Sequence, residues 1–261
     1  RMGDSLSINS QNKILNGNAL KLIAIIAMTI DHLAWLLFPG YPTEPLPIIM
    51  HVVGRLTCPI MCFFIAEGFH YTRDVKKYSL RLLLFSLVSH FAYVFASNDF
   101  VDLLSFIPFY YGSGINRFLN KTSVMFSLWG GLTLLRINSS KTLKPWAKTL
   151  LTLLVCLLTF PCDWSCIAAL CVLAIGSNRG DVKKQILWCF LFVSSYVVVY
   201  VFSINVLYGF IQLCVFLAVP LLLLYNGKRG KNEKVNKFMK WFFYVYYPLH
   251  LFIIGLVKLL S

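Results

Sequence analysis

Charged residues are scarce in this sequence, and acidic residues are the scarcest of them. Charged residues make up 13% of the chain, whereas soluble domains carry roughly 25%. Hydrophobic residues account for 58% and aromatic residues for 16%, and the mean hydropathy is +0.72. This composition excludes an ordinary soluble domain and indicates an integral membrane protein.

The shortage of acids leaves a strongly basic chain, with 10 Asp and Glu against 24 Lys and Arg and a net charge of +14. Such a charge could suggest a nucleic-acid partner. The basic residues, however, fall in short clusters between apolar runs, which is the pattern of cytoplasmic loops in membrane proteins. We therefore expect membrane lipids around the chain and no nucleic acid.

Several motifs are also missing. The eight cysteines lie mostly inside apolar runs, where a thiol behaves as a small hydrophobic group, and their spacing matches no metal site. No P-loop or dinucleotide-binding pattern occurs. A small transporter would also place ionisable residues in its helices, but the absence of internal repeats makes this alternative class less favoured.

Apolar runs of roughly 17–25 residues can cross a bilayer as helices. Nine runs are predicted to do so, of which the fourth to sixth are short: 19–38, 54–72, 79–96, 123–137, 147–161, 163–177, 186–202, 205–225 and 242–260. The sequence thus predicts an all-α, polytopic transmembrane helical bundle. Residues 1–18 are expected to form a cytoplasmic segment without a cleavage site, and residues 19–261 a single transmembrane domain.

The orientation follows from the basic residues. When the connections between the nine runs are assigned alternately to the two sides, one side keeps only Arg55, Arg117, Lys121 and Lys258 of the 24 Lys and Arg. The positive-inside rule then predicts a cytoplasmic N-terminus and an outer C-terminus. Two long outer segments, 39–53 with four prolines and 97–122, could cover a site that opens outward.

Asp31 and His32 interrupt the first apolar run. An ionisable residue at this depth costs at least ~2.5–3.5 kcal/mol and usually faces the interior of the bundle. His32 lies roughly 20 Å from the inner end of its helix, and Arg55 enters the second helix at a similar depth, where it could pair with Asp31. The alternative is a structural cluster that holds the two helices together.

Other polar positions have weaker patterns. Glu67 and His250 are expected near the inner ends of the second and last helices, where they could meet, with structural and catalytic roles equally open. His70 and Asp74 have the spacing of an H-x-x-x-D acyl-transfer motif, which recurs by chance. His51 is expected in an exposed loop.

The segment "YNGKRGKNEKVNK", residues 225–237, joins the last two predicted helices. Gly227 and Gly230 permit a tight turn, and its backbone N–H groups and cations could hold phosphates. An ordinary positive-inside loop is the alternative interpretation.

Four motifs together carry a family resemblance. They are M-T-I-D-H in the first helix, A-E-G-F-x-x-T-R in the second, Y-N-G-x-R-G in the basic loop and Y-x-x-Y-P-L-H-L in the last helix. In this order, and over nearly the whole chain, they resemble the TraX family of integral membrane acetyltransferases, which is similar to a larger group of membrane acyltransferases. The pattern departs from the family where Ser123 and Ser127 stand in polar places.

The resemblance implies an acyltransferase of the bacterial inner membrane that takes an acetyl group from cytoplasmic acetyl-CoA. The acceptor outside would be a peptide N-terminus, as in the family's pilin acetylation, or alternatively an envelope sugar or lipid head group. His32 would act as base or nucleophile beside Asp31, with no metal. The implied cofactor-binding residues are Arg73, Asn226, Lys228, Arg229 and Lys231, and the implied supporting residues are Arg55, Glu67, Tyr247 and His250.

Overall fold

A computed structural model describes residues 13–97, 103–107 and 120–260 of the chain. Residues 1–12 of the predicted N-terminal segment, most of the outer segment 97–122 and Arg117 therefore lie outside the described residues. Short 3-10 helices occupy Leu103–Phe106 and Gln212–Leu217. The described α-helices, in chain order, are α1 (Gly17–Leu37), α2 (Pro45–Gly54), α3 (Thr57–Tyr71), α4 (Val75–Ser97), α5 (Val124–Ser139), α6 (Pro145–Thr159), α7 (Ser165–Ser177), α8 (Val182–Ser203), α9 (Val206–Ile211), α10 (Ala218–Leu223) and α11 (Glu233–Leu260).

The all-helical prediction is confirmed: the described residues contain helices and two isolated bridges, but no strand. Six helical stretches are long and apolar enough to cross a membrane, namely α1, Pro45–Tyr71, α4, α8, Val206–Leu223 and α11. The predicted short spans form α5, α6 and α7, with 16, 15 and 13 residues. Because a crossing helix needs about 20 residues, the count of nine spans and the orientation stay predictions.

The second span begins earlier than the apolar run predicted. The proline-rich segment is not helical as far as Glu44, but Pro45 then occupies the first turn of α2. This position suits proline because its missing N–H would have no helical partner there. A short break at Arg55 and Leu56 separates α2 from α3, and together the two helices form a 27-residue stretch. The proline cluster thus marks the start of the span rather than a loop before it.

Helices α1 and α11 run parallel with a constant register. Asn18 Nδ2 donates to Asn236 Oδ1 at 2.7 Å, and the hydroxyls of Thr29 and Tyr246 are 2.7 Å apart. Near the far end, His32 Nδ1 lies 2.6 Å from His250 Nε2. The partners are separated by 217 or 218 residues in every pair. Side chains at equal depth on the two helices therefore face one another along most of α1.

The loop after α10 closes one end of this helix pair. Asn16 caps α1 by accepting from the N–H groups of Asn18 and Ala19. The N–H groups of Gly17 and Asn18 donate to the carbonyls of Lys228 and Arg229. The first turn of α1, whose N–H groups lack helical partners, is thereby satisfied by the loop, which fixes the loop against the bundle.

Helices α5 and α7 approach each other closely through glycines. A Cβ at Gly131 would lie 2.5 Å from Val172 Cβ, and one at Gly176 would lie 2.5 Å from Leu135 Cδ2. Small residues permit such close contact between helices in membranes, where van der Waals packing replaces the hydrophobic drive. The contact anchors the short helix α7, whose first residue follows the turn that carries Asp163.

We expect Gly131→Ala to lower the free energy of unfolding by about 1–3 kcal/mol, because the added methyl overpacks the contact with Val172. Unfolding of the purified protein in mixed micelles measures the change. Gly17→Ala is the matched control, since its Cβ would meet neighbours only at 3.5 Å or more. Equal stability of the two variants would contradict the close packing of α5 on α7.

Candidate functional site

A buried ion pair joins α1 to the α2–α3 junction. Arg55 Nη2 donates to Asp31 Oδ2 at 3.0 Å and to Oδ1 at 3.1 Å, and His51 Nδ1 lies 2.8 Å from the same Oδ1. Arg55 also donates through Nη1 to Gln212 Oε1 and through Nε to the His51 carbonyl. The guanidinium thus donates hydrogen bonds to partners from three parts of the chain. The structure thus pairs Arg55 with Asp31, as the sequence predicted.

The local sequence explains how this cluster forms. His51 and Arg55 are four residues apart at the end of α2, so both side chains point to the same side of the helix. Between them in sequence, Gly54 lets the backbone touch Asp31, because a Cβ there would collide with the Asp31 side chain. His51 is 1% exposed. The expectation of an exposed loop for His51 was therefore wrong, since residues 45–54 form a helix that buries it.

The two histidines of the α1–α11 pair form a directed chain of hydrogen bonds. His250 Nδ1 lies 2.8 Å from the Tyr246 carbonyl, which can only accept. His250 Nδ1 must therefore carry a hydrogen and donate it. In neutral His250, Nε2 is then the acceptor, and His32 Nδ1 donates to it across 2.6 Å.

These hydrogen bonds determine the tautomer of His32. With the hydrogen on Nδ1, the Nε2 atom of neutral His32 keeps a free lone pair. No described residue forms a hydrogen bond with His32 Nε2, and His32 lines a small cavity. A positioned imidazole lone pair in a cavity is the group required of a general base or a nucleophile.

The cavity has a volume of about 30 Å³ and is lined by both polar and apolar side chains. Its charged members are Asp31, Arg55 and Asp163, and His32 is the titratable base among them. Tyr247 also lines it, and its buried hydroxyl lies beside the Ser123 hydroxyl and the Val124 backbone N–H. A cavity of this size holds one or two water-sized groups, which suits a small reacting group rather than a whole substrate.

The predicted meeting of Glu67 and His250 is wrong. Glu67 Oε1 accepts from Arg179 Nε at 3.1 Å, beyond the end of α7. His250 lies instead at the level of His32, because α11 starts at residue 233 and not near 242. In this longer helix, His250 lies more than halfway from the first residue to the last.

His70 and Asp74, the two residues with H-x-x-x-D spacing, make structural contacts. His70 Nε2 donates to the Gly176 carbonyl at 3.0 Å. The Asp74 carboxylate accepts the Lys77 N–H at the start of α4, and this hydrogen bond holds the pKa of Asp74 below its ordinary value. Neither residue belongs to the cavity that contains His32.

The predicted phosphate-binding residues lie at the other end of α1. Arg73 is exposed in the α3–α4 turn, and Lys228, Arg229 and Lys231 are exposed in the basic loop. Asn226 uses its side-chain oxygen to accept the Lys228 N–H, so its amide shapes the loop. Gly227 takes a φ of +74°, as a tight turn requires.

Further cations surround this loop without carboxylate partners among the described residues. Lys21 interacts electrostatically with Arg229 and Lys240, and Lys240 does so with Arg81. Lys21 lies over the Phe64 and Phe243 rings, and Arg81 over the Tyr78 and Tyr244 rings. We call Lys21, Arg81, Arg229 and Lys240 the basic cluster. The repulsion between these neighbouring cations would be relieved by a bound anion.

Sequence analysis missed three residues of the site. His51 carried a signal, because the H-x-x-x-R spacing from His51 to Arg55 places both residues on one helix face. Asp163 stands in "PCDWS" between two short apolar runs, where an acid is ordinarily a loop residue. Gln212 had no signal, since it reaches Arg55 only through a contact 157 residues away in sequence.

Comparisons of the sequence with known proteins identify a family. A family model described as TraX protein matches residues 16–258. The chain is 29% identical over 269 residues to a curated protein of Dichelobacter nodosus, named "Probable fimbrial assembly protein FimC, serogroup H1", with 96% of this chain and 98% of that protein covered. It is 30% identical over 105 residues to an uncharacterised protein of Rickettsia prowazekii (strain Madrid E), with 40% of this chain and 38% of that protein covered. No solved structure matches the chain.

We expect Arg55→Gln to lower the free energy of unfolding by about 3–5 kcal/mol, because it leaves the Asp31 carboxylate buried without its partner. Unfolding in mixed micelles measures this loss. Arg179→Gln, which breaks the more exposed pair with Glu67, is the matched control and should cost below about 1 kcal/mol.

The double variant Asp31→Asn with Arg55→Gln should recover part of the loss, because no uncompensated charge remains. Equal costs for Arg55→Gln and Arg179→Gln would contradict the assignment of the Asp31–Arg55 pair as the buried joint of the site.

Proposed function

This chain belongs to the TraX family, and we propose that it is an acetyl-CoA-dependent acetyltransferase of the bacterial inner membrane. In this proposal an acetyl group enters from the cytoplasm and reaches an acceptor on the outer side of the bilayer. The single observation that carries the proposal is the free Nε2 lone pair of His32, held in a cavity by the Tyr246–His250–His32 chain of hydrogen bonds.

The basic cluster supports acetyl-CoA as the donor. A coenzyme A molecule carries several phosphate charges at one end and its thioester at the other. Cations without acidic partners would neutralise those phosphates. The predicted donor-binding loop joins the cluster through Arg229, while Lys228 and Lys231 are exposed beside it.

The parallel helices α1 and α11 connect this end to His32. Lys21 and His32 are eleven residues apart on α1, which corresponds to a rise of about 16 Å. An extended pantetheine arm, with the reach of a short extended chain, spans a comparable distance on the order of 15 Å. The donor could therefore bind its phosphates at the basic cluster and present its thioester at the cavity.

At the cavity the chemistry follows from the His32 lone pair. In a direct transfer, Nε2 accepts the proton of the acceptor while the acceptor's lone pair forms a bond to the acetyl carbon. The carbon–sulfur bond breaks, sulfur keeps the electron pair, and the proton passes from His32 to sulfur. In a two-step transfer, Nε2 itself attacks the acetyl carbon, and the carbon–sulfur bond breaks with its electrons on sulfur. The acceptor's lone pair then takes the acetyl carbon as the carbon–nitrogen bond to the imidazole breaks, and the acceptor's proton passes through His32 to the coenzyme A thiolate.

Neighbouring residues would support both routes. His250 is a positioning residue, because its hydrogen bond fixes the His32 ring and its tautomer. Asp31 is neutralised by Arg55 and holds α1 in place beside the imidazole. The buried hydroxyl of Tyr247, which lies beside Ser123 and Val124, would be a donor to an oxygen that gains negative charge in the cavity.

The acceptor is proposed as a peptide N-terminus. The name of the Dichelobacter nodosus relative refers to fimbrial assembly, which supports an acceptor protein on the outer side. Acetylation of an envelope sugar or a lipid head group is the alternative within the same class. A small transporter is the alternative in a different class, since it too would keep ionisable residues within the bundle.

We expect His32→Ala to lower the turnover of radiolabelled acetyl-CoA by at least ~100-fold in lipid nanodiscs, with coenzyme A binding retained. His250→Ala should cause a smaller loss in kcat with little change in KM, because it only releases the orientation of His32. His70→Ala is the matched control and should be silent, as its contact is with the distant Gly176 carbonyl.

Unchanged turnover in His32→Ala would contradict the proposed chemistry. Failure of the wild-type protein to bind coenzyme A would favour the transporter instead. A labelled acetyl group trapped on the protein in the absence of acceptor, and lost in His32→Ala, would select the two-step route.

The basic cluster is tested separately from the chemistry. We expect Arg229→Gln combined with Lys240→Gln to raise the KM for acetyl-CoA by roughly tenfold or more, because each lost charge-assisted contact to phosphate costs at least about 1.5 kcal/mol. The value of kcat should change little, since neither residue reaches the cavity. Lys148→Gln, an exposed cation that donates to the Asn138 carbonyl, is the matched control, and an equal effect there would contradict the cluster.

A further inference from the structure

Two cysteines lie on either side of the turn between α6 and α7, and the proposed mechanism does not use them. Cys156 is in the last turn of α6, and Cys166 is the second residue of α7. Both side chains are partly exposed, whereas Cys162 between them in sequence is 0% exposed. This pair therefore differs from the buried thiols that pack as small hydrophobic groups.

The packing of α6 against α7 brings the two cysteines to a similar depth. A Cβ at Gly130 of α5 would lie 3.4 Å from Val155 Cγ1 of α6 and 3.6 Å from Ala169 Cβ of α7, and Val155 and Ala169 share one buried cluster. The short connection makes α6 and α7 an antiparallel hairpin. Cys156 is one position nearer the turn than Val155, and Cys166 is three positions nearer than Ala169. The two thiols therefore differ in depth by only about 3 Å.

The two thiols are also in contact. The Cys166 sulfur accepts a hydrogen bond from the Cys156 thiol, and the Ser165 side chain and the Cys166 backbone N–H interact with the same sulfur. Cys166 lies in the first turn of α7, where backbone N–H groups lack helical partners. Donors at a helix N-terminus stabilise a thiolate. Cys166 is therefore the nucleophile of the pair, with the Cys156 thiol beside it.

A second thiol pair in the same chain provides a contrast. Cys171 of α7 and Cys189 of α8 share a hydrogen bond. Both line an apolar cavity of about 140 Å³, together with Cys58 and Cys62. Cys171 lies in the middle of its helix, and a thiol in apolar surroundings keeps its proton and is inert. Contact between two thiols is thus not sufficient for reactivity, which the donors around Cys166 supply.

We infer that Cys156 and Cys166 form a reversible disulfide, a modification that goes beyond the proposed acetyl transfer and does not depend on it. The turn between them lies at the end of the bundle that contains the His32 cavity, because Asp163 and Trp164 of this turn line that cavity. The predicted orientation places this end on the outer side of the membrane. There the bacterial periplasm is kept oxidising, so disulfides form and persist.

The disulfide would act on a turn whose backbone is strained. Trp164 has a φ of +63° and Ser165 a φ of +48°, a region that residues with a side chain seldom adopt. A bond between Cys156 and Cys166 closes the loop that contains both residues and restricts the unfolded forms of that loop. Oxidation would therefore hold Asp163 and Trp164 in place beside the cavity.

The step requires an oxidant, which is a protein or small-molecule disulfide. The Cys166 thiolate attacks one sulfur of this disulfide, and the sulfur–sulfur bond breaks with its electron pair on the other sulfur. The Cys156 sulfur then gives up its proton and attacks Cys166 in the mixed disulfide, which releases the second partner sulfur. The two cysteines are oxidised, and the oxidant is reduced to two thiols that carry the protons of Cys156 and Cys166.

The test uses the full-length protein in nanodiscs, with glutathione disulfide as the oxidant. After acid quenching and denaturation, the free thiols are counted with a maleimide that adds a mass tag. We expect the oxidised wild type to take up two fewer tags than its eight cysteines allow, and a thiol reductant to restore them. Chymotryptic cleavage after Phe160 and Trp164 separates Cys156 from Cys166, so a linked pair of peptides identifies the bond.

Single variants distinguish the roles of the two thiols. Cys156→Ser should keep one glutathione on Cys166 as a mixed disulfide, because the second thiol is missing. Cys166→Ser should react with glutathione disulfide at least ~10-fold more slowly than Cys156→Ser, because the Cys156 sulfur lacks the donors that stabilise a thiolate. Cys162→Ser and Cys189→Ser are the matched controls, and oxidation should still remove two tags from each.

Thermal unfolding in nanodiscs tests the effect of the bond on the fold. We expect the oxidised wild type to unfold at an apparent midpoint roughly 5 °C above that of the reduced protein, because the cross-link restricts the unfolded hairpin. Cys156→Ser should show no such difference between the two conditions.

A full count of eight tags in the wild type after oxidation would overturn the inference without any variant. A linked peptide that joins Cys166 to Cys162, or a loss of two tags that persists in both Cys156→Ser and Cys166→Ser, would also overturn it. A lower midpoint for the oxidised protein would contradict the stabilisation of the turn. None of these measurements uses acetyl-CoA, so a failure of the proposed function would leave the disulfide standing.

Discussion

The ion pair between Asp31 and Arg55 is the interaction on which the rest of the site depends. Neither charge would be tolerated alone at this depth, because removing one partner leaves the other uncompensated in a medium of low dielectric constant. Together with His51 and Gln212, the pair ties α1 to the α2–α3 junction and to the short helix before α10. The break between α2 and α3 falls at Arg55, so the residue that joins the elements also lies where the second span bends.

The parallel register of α1 and α11 brings the reactive side chains of the site together. Because α1 is fixed by Asp31 on one face, its other face presents Thr29 and His32 to α11 at constant depth. The Tyr246 carbonyl then determines every hydrogen position along the chain of imidazoles, since a carbonyl can only accept. The same two helices carry Lys21 and Lys240 of the basic cluster at their opposite end, so the proposed donor binding and proton transfer would share one pair of helices.

The site also separates charge along α1 and α11. Cations without acidic partners gather at the loop end of α1, and the cavity near the other end holds two acids, Asp31 and Asp163, with one cation, Arg55. The anionic donor proposed above would find opposite charge at the loop end of α1. The cavity holds Asp31 and Arg55 as a neutral pair beside Asp163 and His32, so charge that develops during the proposed reaction would meet oriented groups instead of bulk water.

The amino-acid sequence by itself determined the helical membrane class, because apolar runs and clustered Lys and Arg are properties of composition that need no tertiary contact. It also predicted the pairing of Asp31 with Arg55, since depth along a helix follows from a rise of about 1.5 Å per residue. It could not predict the partners of His250 or His51, because these depend on where α11 and α2 begin, and tertiary contacts set those ends. The pairing of His32 with His250 and the exposure of Asp163 to the cavity arise between residues far apart in the chain. Only the folded bundle decides them, because no local spacing records how one helix is rotated and shifted against another.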